Sequence, residues 1–198
     1  MTHSVGYLIA ALAIAIPAAN ANAQEKFFDI SSATFKDGEL MPVKVANSKA
    51  NFPRNADCLG ENVSPQLSWV NPPAGTKSYA ITMVDPEGRG GGGVIHWVAY
   101  GIPVDITGFA EGEVSKDSSK YVGGKSRLDV GHYSGPCAPP GKARHYTFVL
   151  TATDLEPNAL PPGLTKEELT AKIAPMTGAR HDKGVAGIVG LFAHPGKK

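Results

Sequence analysis

The sequence predicts a mainly β protein with a minor helical part, and three observations carry that prediction. Residues 78–85, 94–103 and 145–154 have the alternating, β-branched and aromatic character of strands. Glycine, with 23 of the 198 residues, and proline, with 16, favour many turns over long helices. A single segment near the C-terminus has the boundary signals of a helix. The length suits one domain with its own core.

Shorter strands are predicted around these three. Residues 27–35 are short and strand-like, residues 38–47 alternate around two valines, and residues 66–70 form a brief strand. Residues 183–195 form a terminal apolar strand. Strands followed by a late helix and one more strand indicate a β-rich domain.

The predicted helix lies within residues 164–175, which read LTKEELTAKIAP. Thr165 can cap its N-terminus, and Glu168, three residues on, completes a capping box. Leu164 and Leu169 occupy the positions of a hydrophobic staple. Pro175 stops or kinks the helix. These signals indicate a structural role for the helix.

The N-terminus predicts export. Residues 5–17 form an apolar run that is short for a membrane span, and Ala-Asn-Ala at 21–23 fits a cleavage site before Gln24. Residues 1–23 are therefore predicted to be a signal peptide, and residues 24–198 a single domain that is periplasmic or secreted. An uncleaved anchor is the alternative, because the basic residues that usually precede the apolar run are missing.

The net charge and the cysteine content indicate which partners and which cellular compartment to expect. The net charge is +1, and no run of basic residues indicates a nucleic-acid surface, so no nucleic acid is expected. Two cysteines, Cys58 and Cys137, suggest one disulfide in an oxidising compartment, with two free thiols as the alternative.

A glycine run separates two of the predicted strands. Five of the six residues from Gly88 to Gly93 are glycine, but no Lys-Ser/Thr pair ends the run and a strand follows it. A phosphate-binding loop needs that pair and a helix after it. The run is therefore interpreted as a flexible connection between strands.

The residues beside the glycine run are more informative. Asp85 ends one strand and His96 lies in the next, so neighbouring strands would bring them together. A carboxylate near an imidazole fixes its tautomer and favours its charged form. The alternative is structural: Asp85 caps the turn before Pro86, and His96 is a satisfied core histidine.

A second segment also has the features of an anion site. Residues 131–148 read GHYSGPCAPPGKARHYTF, and such a rigid loop can point backbone N–H groups at one anion. Arg144 offers a planar fork for phosphate. Strand alternation puts Arg144 and Tyr146 on one face and His145 on the other.

Four segments occur in a specific order along the chain and together resemble a known family. They are SPQLSW at 64–69, GTKSYAITMVDPE at 75–87, HWVAYGIP at 96–103 and GHYSGPCAPPGKARHYTF at 131–148. They are similar to the phosphatidylethanolamine-binding protein family, in its bacterial Raf-kinase-inhibitor-like branch, over nearly the whole chain after the signal peptide. The resemblance implies a large central antiparallel β-sheet packed on a smaller sheet, with a helix near the C-terminus. It also implies a pocket for phosphate or phosphorylated head groups.

The resemblance implies a set of ligand-binding residues and a disulfide. The bacterial branch carries cysteines that match Cys58 and Cys137. One departure concerns Arg144, because the family usually has histidine there; arginine would hold a phosphate more tightly or partly fill the cavity. The ligand-binding residues predicted in this way are Asp85, Pro86, His96, Trp97, His132, Tyr133, Ser134, Gly135, Pro136, Arg144 and Tyr146.

The function expected from these features is non-catalytic binding of a small anion or phosphorylated head group, without cofactor or metal. A hydrolase built on Asp85, His96 and Ser134 is an alternative, but Ser134 lacks the G-x-S-x-G context. A metal site of Asp85, His96 and His132 is another, without supporting ligand spacing. Inhibition of a protein partner such as a protease and assembly as a homodimer also stay open.

Overall fold

Two antiparallel β-sheets of unequal size make up the structure, a computed structural model that describes residues 1–3, 26–48 and 58–196. Most of the predicted signal peptide, with its cleavage position, lies outside the described residues. Within the described ranges, no helix combines the length and the apolar character needed to cross a bilayer.

The larger sheet has five strands in the order β6-β4-β3-β7-β8, and the smaller has three in the order β1-β2-β5. The central strand of the large sheet, β3, pairs with β4 on one side and β7 on the other. In chain order the strands are β1 Asp29–Ser31, β2 Leu67–Val70, β3 Ser78–Asp85, β4 Val94–Pro103, β5 Gly108–Phe109, β6 Val122–Gly123, β7 Arg144–Thr153 and β8 Asp182–Phe192.

The predicted fold class is confirmed, including the large sheet, the small sheet and the late helix. The strands predicted at 78–85 and 94–103 have the predicted bounds, and the third strong strand begins one residue early. The two sheets enclose an aromatic core whose fully buried members are Tyr79, Trp97, Phe109, Tyr133, Tyr146 and Phe148.

The strand predicted at residues 38–47 is wrong. The chain instead forms a 3₁₀ turn at Val43–Val45, with Pro42 immediately before it. Proline has no N–H to donate to a sheet, so it interrupts the ladder there. Leu40 keeps one isolated bridge to Leu191 of β8.

The helix α2, Lys166–Ile173, forms where its capping signals predict. The Thr165 hydroxyl accepts from the Glu168 N–H at 3.2 Å, and the Glu168 carboxylate accepts from the Thr165 N–H at 2.9 Å. Leu164 and Leu169 are both buried in a second apolar cluster, on the outer face of the large sheet. The capping box and the staple residues are thus confirmed as structural features.

The glycine run connects β3 to β4, as predicted, through a short turn, α1, Gly88–Gly91. Arg89 (φ 52°) and Gly90 (φ 69°) adopt left-handed conformations inside it. The Gly93 N–H closes the turn by donating to the Gly88 carbonyl at 2.9 Å. The turn returns the chain directly from Asp85 into β4.

Candidate functional site

Three neighbouring strands bring polar side chains together at one end of the large sheet. In the register of the sheet, Asp85 lies opposite Val94 of β4, and Val84 lies opposite Thr147 of β7. The last residue of β3 therefore lies beside the first residues of β4 and β7. The expectation that the strands of Asp85 and His96 are neighbours is confirmed.

A bulge in β4 orients His96. Met83 pairs with Trp97 but Val84 pairs with Ile95, so His96 is an extra residue in the ladder. Consecutive residues of a regular strand face opposite sides, whereas His96 and Trp97 are both buried on the core side. The His96 ring lies edge-to-face against Tyr146, with centroids 5.1 Å apart. The bulge thus places an imidazole on the inner face of the sheet.

Asp85 is a buried carboxylate with partners on both oxygens. Its Oδ1 accepts from the backbone N–H groups of Glu87 and Gly88, both at 3.0 Å, and its Oδ2 accepts from Arg144 at 3.1 Å. Burial raises the pKa of Asp85, and the Arg144 guanidinium opposes that change. The carboxylate therefore caps the turn, as the structural alternative predicts, and also holds Arg144.

His96 is oriented by a carbonyl group and not by Asp85. Its Nδ1 lies 2.7 Å from the Ser134 carbonyl oxygen. Burial, with a smaller contribution from the nearby Arg127 guanidinium, lowers the pKa of His96 to about 3. The expectation that a carboxylate sets the tautomer and favours the charged imidazole is wrong, because Asp85 pairs with arginine and the ring is neutral at physiological pH.

Tyr146 carries a buried hydroxyl with no hydrogen-bond partner among the described residues. The residue is fully buried, and its pKa is raised by burial and by Asp85, with Arg144 and Arg127 acting in the opposite direction. The hydroxyl therefore stays protonated. It lies near two guanidinium groups, those of Arg127 and Arg144, and two carboxylates, those of Asp85 and Glu87.

Arg127 is a site residue that sequence reasoning missed. Its Nη2 donates to the Gly135 carbonyl at 3.1 Å, and its backbone N–H donates to the Ile95 carbonyl at 2.8 Å. The residue is partly buried, and burial lowers the pKa of its side chain, although an arginine stays charged. It is one of several polar residues in a long, turn-rich segment, so no local signal distinguished it.

The turn at Ser134–Gly135–Pro136 is built against Asn47 and Asn62. The Gly135 N–H donates to the Asn62 Oδ1 at 2.8 Å, and the Asn47 N–H donates to the Pro136 carbonyl at 2.8 Å. A Cβ on Gly135 would lie 2.9 Å from the backbone N of Asn47, so only glycine permits this approach. The turn is thereby fixed beside His96.

The predicted disulfide is confirmed, and it lies next to this turn. Cys58 and Cys137 are bonded, with Cα atoms 5.1 Å apart and 79 residues of separation along the chain. Cys137 directly follows Pro136, so the bond anchors the end of the turn.

Four predicted site residues lie elsewhere or pack into the core. His132 pairs with Asp117 at 2.9 Å in a partly exposed position. The Tyr133 hydroxyl donates to the Val45 carbonyl at 2.8 Å. The Trp97 ring packs edge-on against core aromatic rings, and Pro86 lines a separate cavity of about 410 Å³ on the outer face of the sheet.

Residues of the β3–β4 turn and of β7 form the rim of the site. Glu87 accepts from the His145 N–H at 3.2 Å, which ties the turn to β7, and His145 is exposed, as strand alternation predicts. The side chain of Arg144 is 29% exposed. A surface cleft of about 450 Å³ includes Glu87, Arg144 and the loop at 139–143. Arg144 thus lies between the buried carboxylate and solvent.

The positions of Asp85, His96 and Ser134 do not support the hydrolase alternative. His96 bonds the carbonyl oxygen of Ser134, while the Ser134 hydroxyl is 3.3 Å from the Asn47 amide nitrogen. A hydrolase triad needs the imidazole to bond the hydroxyl. Among the described residues, no three metal-ligating side chains come together.

The fold and the residues at the sheet end define a class: a two-sheet β protein with a buried, arginine-bearing polar site. Residues 31–183 match the family model described as Phosphatidylethanolamine-binding protein. The chain is 34% identical to the Escherichia coli K12 protein YbcL over 140 residues, which are 68% of this chain and 73% of YbcL. It is 33% identical over 168 residues to LppC of Mycobacterium tuberculosis H37Rv, whose name describes it as a lipoprotein; the match spans 82% of this chain and 71% of LppC.

The solved structures agree with the sequence comparisons. The crystal structure of YbcL superimposes with a TM-score of 0.72 at 26% identity, covering 84% of this chain and 98% of that one. The chain belongs to the phosphatidylethanolamine-binding protein family, in its bacterial branch.

Proposed function

We propose that the protein binds a small oxyanion, such as phosphate or a phosphorylated head group, and carries out no reaction on it. The single observation that supports this most strongly is the Tyr146 hydroxyl, which is buried without a partner among the described residues. A buried polar group without a hydrogen bond costs about 1–3 kcal/mol. A ligand oxygen that accepts from this hydroxyl would recover that energy.

The charges around Tyr146 favour an anion. Arg127 and Arg144 are two cations near the hydroxyl, and the Arg144 guanidinium is bonded to the Asp85 carboxylate. Arg144 uses one N–H toward Asp85 and has four more to offer. It therefore remains able to bind a ligand oxygen from the solvent side while Asp85 holds its position.

The position of Arg144 bears on whether this arginine binds the anion more tightly or partly fills the cavity. Its guanidinium pairs with Asp85 at the rim, whereas Tyr146 and His96 are buried behind it. We propose that Arg144 is a ligand of the anion and closes over it. This role predicts slower dissociation from the wild type than from a variant without the guanidinium.

We also propose that residues 1–23 are removed on export and that residues 24–198 act as one domain outside the cytoplasm. The disulfide and the lipoprotein relative support export. Mass spectrometry of protein from the cell envelope tests the cleavage site. An N-terminus at Gln24 is expected, and an intact Met1 in mature protein would contradict the proposal.

Calorimetric titration with phosphate and with phosphoethanolamine tests the binding function. The protein from Gln24 onward is compared with Asp85→Ala and Arg144→Ala, and Arg180→Ala is the matched control. Arg180 is an exposed arginine that pairs with Asp182, so its removal makes the same charge change outside the site.

Binding by the wild type and by Arg180→Ala, with loss in the other two variants, is the expected result. Failure of the wild type to bind either compound would refute the proposed function.

A further inference from the structure

A cavity of about 410 Å³ lies on the outer face of the large sheet, across the sheet from the aromatic core. Volumes of about 300–1,000 Å³ are typical of small-molecule sites. Leu169 and Ile173 of helix α2 form one wall. The floor consists of the outward-facing residues of β3 and β7, which are Ala80, Thr82, Val84, Thr147, Val149 and Thr151. The cavity is therefore a trough that follows these two strands.

Helix α2 covers only part of this face. It packs in one apolar cluster with Ala80 of β3 and with Val98 and Tyr100 of β4. The other five floor residues are partly exposed, yet none of them carries a charge. Outward strand positions that face water are ordinarily polar. A β-branched, uncharged surface beside solvent is typical of an interaction site.

The lining favours an aliphatic ligand. Among the described residues, no buried polar atom without a hydrogen bond lines this cavity, so no group inside it requires a polar partner. The described part of the chain also contributes no aromatic ring to the lining, so a flat ring would have nothing to stack on. The valines Val84, Val149 and Val185 line the cavity, and Val185 is 58% exposed. An unbranched aliphatic chain along the trough would bury these methyl groups.

Charged groups at the rim favour an anionic end group. Arg180 is occupied by Asp182, because its Nε and Nη2 donate to the two carboxylate oxygens at 2.9 and 2.8 Å. Lys166, at the start of α2, also lines the cavity. Its Nζ is 4.0 Å from Oε1 of Glu167, which is the limit for an ion pair and too far for a hydrogen bond. The Lys166 ammonium can therefore pair with an anion at this end of the trough.

We propose that this cavity binds a free single-chain amphiphile, with its aliphatic chain in the trough and its carboxylate at Lys166. The cavity floor faces away from Tyr146 and His96, which are buried on the core side of the same sheet. Amphiphile binding is therefore a second activity, at a site separate from the proposed phosphate site, and it does not require phosphate binding.

Calorimetric titration with decanoate, octanoate and decyltrimethylammonium, each below its micelle concentration, tests the ligand class. Decanoate should bind, and octanoate should bind about 10- to 20-fold more weakly, because each buried CH₂ contributes about 4-fold in affinity. Decyltrimethylammonium has the same chain with the opposite charge and should not bind. The proposal is overturned if decanoate does not bind, if the two carboxylates bind equally, or if the cation binds as well as decanoate.

Two variants with matched controls test the assigned residues. Lys166→Gln should weaken decanoate binding about 5-fold, as expected for a partly exposed ion pair. Lys172→Gln removes the same charge from an exposed position of the same helix, outside the cavity lining, and should change nothing. Val149→Glu places a carboxylate on the floor and should abolish binding, whereas Val70→Glu, at an exposed valine of the small sheet, should not. Unchanged affinity in Lys166→Gln overturns the proposal, whether or not Val149→Glu folds.

Decanoate titrated into Arg144→Ala distinguishes the cavity from the proposed phosphate site. Unchanged affinity supports the cavity, and lost binding would place the carboxylate at Arg144 and overturn the proposal. Amide NMR shifts caused by decanoate should cluster at Thr82, Val149 and Val185. Two further results, each without binding of free decanoate, would also overturn it. Cosedimentation with phosphatidylglycerol vesicles would indicate a membrane surface, and a dimer that Val149→Glu dissociates would indicate a second copy of the chain.

Discussion

Removal of the Arg144 guanidinium should destabilise the fold through Asp85. Arg144→Met keeps an apolar stem and deletes the charge, which leaves the Oδ2 of Asp85 buried without its donor. Loss of one partner of a buried pair costs about 3–5 kcal/mol, and an exposed pair contributes about 0.2–1 kcal/mol. The two side chains are 3% and 29% exposed, so we expect an intermediate loss of about 1.5–3 kcal/mol at pH 7.

The loss should depend on pH in a defined direction. Burial raises the pKa of Asp85, and removal of Arg144 raises it further. An acid whose pKa is higher in the folded chain binds extra protons there, so stability falls as pH rises through the interval between the unfolded and folded values. The deficit of Arg144→Met should therefore be largest above the folded pKa of Asp85 and shrink as pH falls through it.

Urea unfolding followed by tryptophan fluorescence measures this effect, since Trp69 and Trp97 are both buried. The control is a double-mutant cycle with Asp85→Asn, in which Arg144→Met should cost much less because no charge remains to be paired. The reasoning is refuted if Arg144→Met costs the same in both backgrounds, or if its cost does not change between pH 4 and pH 8.

Three further predictions concern the scaffold of the site. Replacement of Cys58 and Cys137 by serine should lower the free energy of unfolding by about 4 kcal/mol, since the bond closes a loop of 79 residues; a loss under 1 kcal/mol in urea unfolding would contradict this. Thr165→Ala should cost about 1 kcal/mol through the lost cap, and Thr165→Ser, which keeps the hydroxyl, should restore most of it in the same assay. Gly135→Ala should weaken phosphate binding in calorimetry, because the added Cβ would overlap the backbone of the Asn47 loop; unchanged affinity would show that the turn does not position the site.

Local patterns in the sequence account for much of the fold. The strands at Ser78–Asp85 and Val94–Pro103 were predictable because β-branched and aromatic residues run unbroken between turn residues. The helix α2 was predictable because Thr165 and Glu168 act within four residues of each other. At residues 38–47 the alternation around two valines predicted a strand that does not form, because Pro42 and the tertiary position of the segment decide its conformation.

The site was only partly predictable, because long-range contacts complete it. Sequence spacing and family resemblance both indicated Asp85, His96 and Tyr146, and the structure brings these residues to one sheet end. The bulge at His96 depends on pairing with β3, which spacing along β4 does not encode. Arg127 enters through contacts with Ile95 and Gly135 that form only in the folded chain.

Calorimetric titration of phosphate into Tyr146→Phe and wild type tests the central claim most directly. The substitution removes one buried hydroxyl that has no partner in the described chain, so stability should be unchanged or slightly higher. Phosphate affinity should fall about 10- to 100-fold, as expected for loss of a hydrogen bond to a charged ligand. Equal affinity in the two proteins would show that the hydroxyl does not face the ligand, and would contradict the proposed anion site.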